Sequence, residues 1–165
     1  PFIVFEDADL DSAVNAQVAG IFAATGQSCV AGSRLLVQNS IRGEMLARLK
    51  AKAEAIRIGA PADMATEVGP LCTPRQRNRI EKIVADSVAA GARRVTGGQT
   101  PQGDGFYYPP TILDCSAAPD APCVTEELFG PVLSVIGFDT EEAALRSENA
   151  TRYSLDSGIL TRDLT

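Results

Sequence analysis

Gly26-Gln27-Ser28-Cys29-Val30-Ala31-Gly32-Ser33-Arg34-Leu35-Leu36-Val37 is the stretch on which the architecture turns. Its last three residues are apolar without a break, the pattern of a β-strand covered on both faces. Ahead of them lies a loop with glycines on both sides of one cysteine. Upstream, Val14, Val18, Ile21 and Phe22 recur at helical spacing, which predicts a helix to about Ala24. A helix that enters a loop and then a doubly covered strand is one unit of an α/β sheet. A side chain at such a junction can point into a cleft, and flanking glycines let another molecule approach closely. Cys29 is therefore the first candidate functional residue.

The same reading extends in both directions. Phe2-Ile3-Val4-Phe5 reads as a short buried strand, and Asp7, Asp9 and Asp11 offer capping carboxylates to the helix that follows. Arg34 to Gln38 is the next strand. Met45, Leu49, Ala53 and Ile56 mark a second helix, ended by a Gly/Pro-rich loop from Gly59 to Pro70. Thr73-Pro74 predicts a helix start, a hydroxyl cap followed by proline at the first position, with Ile80, Ile83, Val84 and Val88 as the apolar stripe and Gly91 as the stop. Ala92 to Thr96 reads as a strand, and Phe106 to Leu113 as an extended segment that Pro109-Pro110 confines to an edge or an irregular path. Ala117 to Pro122 reads as loop and Pro131 to Phe138 as a buried strand. Thr140-Glu141-Glu142 starts a short helix, and Ser157 to Thr161 forms a last strand. Strands alternating with helices imply an α/β fold with a mainly parallel sheet flanked by helices.

Composition narrows the function. A chain of 165 residues, 45% of them apolar, supports one domain that buries about 70% of its unfolded surface. A net charge of −6 argues against nucleic-acid binding. The basic run Arg75, Arg77 and Arg79 is followed by Glu81 and Asp86 and reads mostly as a solvated helix face. No apolar run is long enough to span a bilayer and no secretory leader is present, so the expectation is a cytoplasmic protein with no membrane partner. The four cysteines show no CxxC spacing and the chain has no histidine, which leaves no ordinary zinc set, no Cys-His dyad and no imidazole base. Cys72, Cys115 and Cys123 read as packed or loop residues. If Cys29 is a nucleophile, its activation comes from carboxylates, backbone dipoles or a cofactor.

Three segments carry a resemblance. The run from Gly26 to Arg34 strongly resembles the nucleophile segment of the NAD(P)-dependent aldehyde dehydrogenases. Glu126-Glu127-Leu128-Phe129-Gly130-Pro131-Val132 resembles that family's Glu-x-Phe-Gly-Pro-Val segment; by this match Glu127 accepts hydrogen bonds from the nicotinamide ribose hydroxyls and Phe129 packs near the nicotinamide. Gly69-Pro70 with Thr73-Pro74-Arg75-Gln76-Arg77-Asn78-Arg79 is similar to the helix whose polar side chains reach the cofactor. The positions carried over are Gln76 and Arg79, three apart and so on one helix face. Pro1 to Asp11 resembles the segment after the family's Glu-Leu-Gly-Gly motif. Thr151 to Leu155 resembles its Tyr-Gly-Leu stretch, with Ser154 in place of glycine. Arg34 reads as an anchor for the strand after the nucleophile.

The resemblance implies a fold of the aldehyde dehydrogenase catalytic-domain type. Residues 1–165 would be part of that domain, truncated at both ends, with the general-base glutamate and the cofactor domain ahead of Pro1 and an oligomerisation strand after Thr165. It implies oxidation of a small aldehyde to a carboxylic acid with NAD or NADP, through a thiohemiacetal and a thioester on Cys29. It also implies a parent homodimer or homotetramer and an isolated chain without activity. Two other outcomes stay open at this stage: an acylating enzyme that passes the thioester to coenzyme A, and a non-catalytic binding or assembly module in which Cys29 is buried.

Overall fold

The computed structural model describes residues 1–163. Its elements in chain order are β1 (Phe2–Val4), α1 (Leu10–Phe22), β2 (Arg34–Gln38), α2 (Asn39–Ala55), α3 (Pro74–Ala89), β3 (Arg93–Thr96), β4 (Thr111–Asp114), α4 (Pro122–Thr125), β5 (Val132–Phe138), α5 (Glu141–Asn149) and β6 (Gly158–Leu160). The helix starts follow the capping residues. Asp9 accepts from Ser12 N at 2.8 Å ahead of α1, and Thr73 Oγ1 accepts from Gln76 N at 3.1 Å ahead of α3, whose first turn holds Pro74. Two expectations are sharpened by the structure. The stretch from Phe106 to Leu113 follows the irregular path through Pro110, one of the two expected for it, and becomes a strand only at Thr111, interior rather than an edge. Both prolines precede the ladder, so no ladder N–H is missing, and β4 lies between β3 and β5 with every residue buried. The segment read as loop from Ala117 is loop through Ala121, and α4, a single turn too short to show a periodicity, begins at Pro122.

Among the described residues one six-stranded sheet runs in the order β3-β4-β5-β2-β1-β6, with only the β3–β4 pair antiparallel. Alternate residues feed two separate cores, as the period of a strand requires. Ile3, Leu36, Leu113, Ile136 and Phe138 pack with Ile80 and Val84 of α3 and Ala144 of α5. Val4, Leu35, Val37, Ile112, Leu133 and Val135 pack with Val14, Ile21 and Phe22 of α1 and with Met45 and Leu49 of α2. Helices therefore cover both faces, which is why both faces of the central strands carry apolar residues.

Loop length decides which end of the sheet can carry a site. At the carboxyl end β2 passes straight into α2, and Asp139 and Thr140 alone separate β5 from α5. At the amino end, longer loops precede β2, β5 and β6. The loop before β2 opens with three consecutive residues in the left-handed region: Ala24 (φ 49°), Thr25 (φ 58°) and Gly26 (φ 65°). For L-residues this conformation is unfavourable and persists only when packing enforces it. Here the enforcement is close backbone contact with the loop before β5: a Cβ on Gly26 would lie 2.1 Å from the Gly130 carbonyl oxygen. Thr25 Oγ1 also donates to Gly69 O at 3.3 Å, which ties the same turn to the segment before α3.

The far side of the sheet is stapled by Asp114 at the end of β4. Its carboxylate takes Arg42 of α2 at 3.1 Å, Arg93 of β3 at 2.9 Å and the Ser116 hydroxyl at 2.8 Å. Burial pushes this carboxyl up, but the Ser116 hydroxyl and N–H together with the Arg93 and Arg42 guanidiniums outweigh it and leave it below its ordinary value. A depressed folded-state value means that the stabilisation is complete above the unfolded-state pKa of about 3.9 and is lost as pH falls through the folded-state value. Asp114→Asn is expected to lower the unfolding free energy at pH 7 by about 1.5–3 kcal/mol, with the gap to wild type closing below about pH 4, as read by urea titrations across that range. Gly26→Ala is expected to cost about 1–3 kcal/mol in the same titration, because the methyl group has no room against Gly130 and the backbone there disfavours any L-residue.

Candidate active site

Cys29 sits at the tip of a tight turn. Ala31 N donates to Ser28 O at 3.1 Å, which leaves Cys29 and Val30 as the two central, exposed residues. The turn is held from behind. Buried Gln17 of α1 donates through Nε2 to Gly32 O at 2.6 Å, and Gly32 N donates to Gly20 O at 3.1 Å. The Phe2 ring fills the space a Cβ on Gly32 would need, with a ring carbon at 2.5 Å. Gln27 fastens the front: its Oε1 accepts from Cys72 N at 3.0 Å. Neither the Cys29 thiol nor its backbone N–H has a hydrogen-bond partner among the described residues. Cys29 is exposed, which removes the alternative of a buried, purely structural cysteine.

The thiol opens on a cleft of about 490 Å³ that Glu127 and Phe129 also line, with the segment from Thr151 to Asp156 as the far wall. Glu127 is exposed and its carboxylate meets no donor among the described residues. Phe129 stands at φ 56°, in the left-handed region, and the residue is 39% exposed. Between them Leu128 is buried, so the loop presents two side chains to the cleft and anchors by the third. Arg152 closes the rim, pairing with Glu126 at 3.3 Å and donating to the Tyr153 hydroxyl at 2.9 Å.

Gln76 and Arg79 do not line the cleft. They stand behind the loop. Gln76 Nε2 donates to Leu128 O at 2.5 Å and Phe129 O at 3.0 Å; Arg79 Nη1 donates to Glu127 O at 2.8 Å and Leu128 O at 3.3 Å. Arg34 is buried, as a strand anchor should be, and Nη2 donates to Glu148 O at 2.9 Å. Cys115 and Cys123 are buried with sulfurs 3.4 Å apart, while Cys72 is exposed. Thr25 lay outside the motifs read from the sequence, and Gln27 and Gly130, though within them, were given no role of their own. Glycines in two separate loops hint at a close approach, but nothing in their spacing says that they meet.

No helix among the described residues is long and apolar enough to cross a membrane. The model of the aldehyde dehydrogenase family matches residues 1–165. The chain is 58% identical over its whole length to (Z)-2-((N-methylformamido)methylene)-5-hydroxybutyrolactone dehydrogenase of Acinetobacter baylyi and 42% identical to betaine aldehyde dehydrogenase of Rhizobium etli, covering 34% of each. It therefore spans about a third of the length of the curated relatives it matches. Among solved structures, HpcC of Thermus thermophilus superposes with a TM-score of 0.95 at 40% identity, over 99% of this chain and 33% of that one. Betaine aldehyde dehydrogenase of Staphylococcus aureus, solved in complex with NAD+, gives 0.94 at 36% identity over 99% and 33%. The motifs, the mainly parallel sheet and the cleft belong together: this chain is a member of the aldehyde dehydrogenase family.

Proposed function

We propose that the protein carrying this chain oxidises a small aldehyde to a carboxylic acid with NAD or NADP, that Cys29 is its nucleophile, and that residues 1–165 are part of its catalytic domain. The observation that carries this is the convergence of Cys29, Glu127 and Phe129 on one cleft, with the thiol and the carboxylate both unclaimed by the protein. A carboxylate with no protein donor suits a ribose diol, which offers it two O–H groups. An exposed aromatic ring beside it suits a flat heterocycle. The residues present therefore fit a nicotinamide dinucleotide, whose oxidised ring supplies a hydride acceptor when bound.

The remaining steps belong to this chain's own groups. The Cys29 thiolate adds to the carbonyl carbon; the S–C bond forms and the π pair moves onto oxygen. The unpaired N–H of Cys29 is one donor for that oxygen. As the C=O re-forms with loss of hydride from carbon, Cys29 holds the acyl group as a thioester until water releases the acid. A general-base glutamate and a second oxyanion donor in asparagine complete this chemistry in the family reading, and neither is assigned to these residues. In the same reading the protein is cytoplasmic and assembles as a dimer or tetramer.

In the full-length protein, Cys29→Ser is expected to cut steady-state NAD(P)H formation at least about 1,000-fold with the melting temperature unchanged. Retention of a tenth of wild-type turnover overturns the assignment of the nucleophile. Alkylation by iodoacetamide is expected to modify Cys29 and Cys72 and to spare Cys115 and Cys123, with dinucleotide protecting Cys29 alone; equal labelling of Cys29 with and without dinucleotide counts against a shared cleft. The 165-residue chain by itself is expected to give little or no turnover in the same assay.

A further inference from the structure

We propose that Cys115 and Cys123 form a redox-sensitive pair: hydrogen peroxide converts the two thiols to a disulfide, and closing that bond displaces α4 and the cleft wall that continues from it. The link to dinucleotide binding rests on the reading of the cleft given above; the disulfide itself does not.

The two sulfurs lie 3.4 Å apart, and the residues are 0% and 2% exposed. Cysteine packs as a small apolar residue, which accounts for the burial of each but not for their meeting. Hydrogen bonding between the thiols pushes Cys115 up and Cys123 down to about 6, with burial opposing the second shift. Cys123 is therefore the thiolate, the form that attacks a peroxide. Its sulfur bonds to one peroxide oxygen, the O–O bond breaks and hydroxide leaves, giving a sulfenic acid. The Cys115 sulfur then attacks Cys123 Sγ; the S–S bond forms, the S–O bond breaks, and the departing oxygen leaves as water with the Cys115 proton. Two thiols lose two electrons, and hydrogen peroxide gains them and ends as two waters. For so small an oxidant, access needs only a local opening of α4, a single turn.

The two cysteines are anchored unequally. Cys115 N donates to Val135 O at 2.7 Å, which continues the ladder between β4 and β5. Cys123 sits in the one-turn α4, where its N–H donates to the Ser87 hydroxyl at 2.9 Å and its carbonyl accepts from the Ser134 hydroxyl at 2.8 Å. A sulfur–sulfur bond is about 2.05 Å long, so closing the gap from 3.4 Å moves the less constrained partner, α4. Val124, the next residue, lines the cleft, and so do Glu126, Glu127 and Phe129 beyond it. Glu126 follows α4 directly and pairs with Arg152 at 3.3 Å on the rim. The wall that presents Glu127 is thus continuous with the element the disulfide pulls. By reciprocity, a dinucleotide that holds this wall in its reduced arrangement disfavours the disulfide by the same factor by which the disulfide weakens the dinucleotide.

The test uses the full-length protein carrying Cys29→Ser and Cys72→Ser, so that neither exposed thiol contributes. Trypsin cuts after Arg94 and after Arg146 and leaves Cys115 and Cys123 on one peptide, residues 95–146. After hydrogen peroxide this peptide is expected to lose two hydrogens and, once unfolded, to take up no iodoacetamide; dithiothreitol restores both thiols. The dissociation constant of the dinucleotide that binds, NAD+ or NADP+, is expected to rise about fivefold on oxidation and to return on reduction. With Cys115→Ala, or with Cys123→Ala if the first variant folds poorly, the same treatment is expected to leave the affinity unchanged. A peptide that keeps both thiols, or that gains oxygen instead of losing hydrogen, overturns the pair. A disulfide that leaves the affinity unchanged overturns the link to the cleft, and so does an equal loss of affinity in the alanine variants. A reduced protein that binds neither dinucleotide overturns the reading of the cleft, and the peptide mass then decides the disulfide by itself.

Discussion

The backbone of Gly26 lies against the carbonyl of Gly130 so closely that a single methyl group between them would lie 2.1 Å from that oxygen. Everything proposed for the site depends on this approach. Gly26 begins the turn that lifts Cys29, and Gly130 ends the loop that presents Glu127 and Phe129. Their contact sets the two halves of the cleft at a common distance and holds three consecutive residues in a conformation they would otherwise leave. The glycines are needed on both sides, one for its positive φ and the other for the space Ile80 occupies.

Around that contact the structure builds a hub of loops rather than a pocket lined by strands. Thr25 reaches Gly69, Gln27 reaches Cys72, and α3 reaches back through Gln76 and Arg79 to the carbonyls before β5. Each bond joins segments that are remote in the chain, so each must overcome the entropy of closing a long loop and becomes favourable only once the sheet has brought its ends together. The sheet is thus a jig: its two apolar cores supply the burial, and the loops draw on the rigidity.

The site lies at the amino ends of parallel strands. Open α/β sheets usually bind ligands at the carboxyl ends, where the crossovers diverge. Here β2 enters α2 without a loop and β5 enters α5 after two residues, so those ends offer little chain from which to build. The loops that line the cleft arrive at the amino ends of β2, β5 and β6, and the chemistry-bearing side chains travel with them.

The strands and helices could be read from the chain because their signals are local. Leu35-Leu36-Val37 announces double coverage, Thr73-Pro74 announces a helix start, and the runs around Cys29 and Glu127 carry the family resemblance within a few residues each. Interior placement of β4 was not legible, since the prolines that argue for an edge act only where a ladder N–H is required, and the register that exempts them comes from pairing with β5. The loop contacts of Gln76 and Arg79 were not legible either: a helix face shows which side chains lie together, but the carbonyls they meet lie more than forty residues further along the chain. Residue identity alone settled which groups are available for chemistry, a thiol and carboxylates with no imidazole. Which of them face one another was settled only by the sheet, because that depends on distances through space that no spacing along the chain encodes.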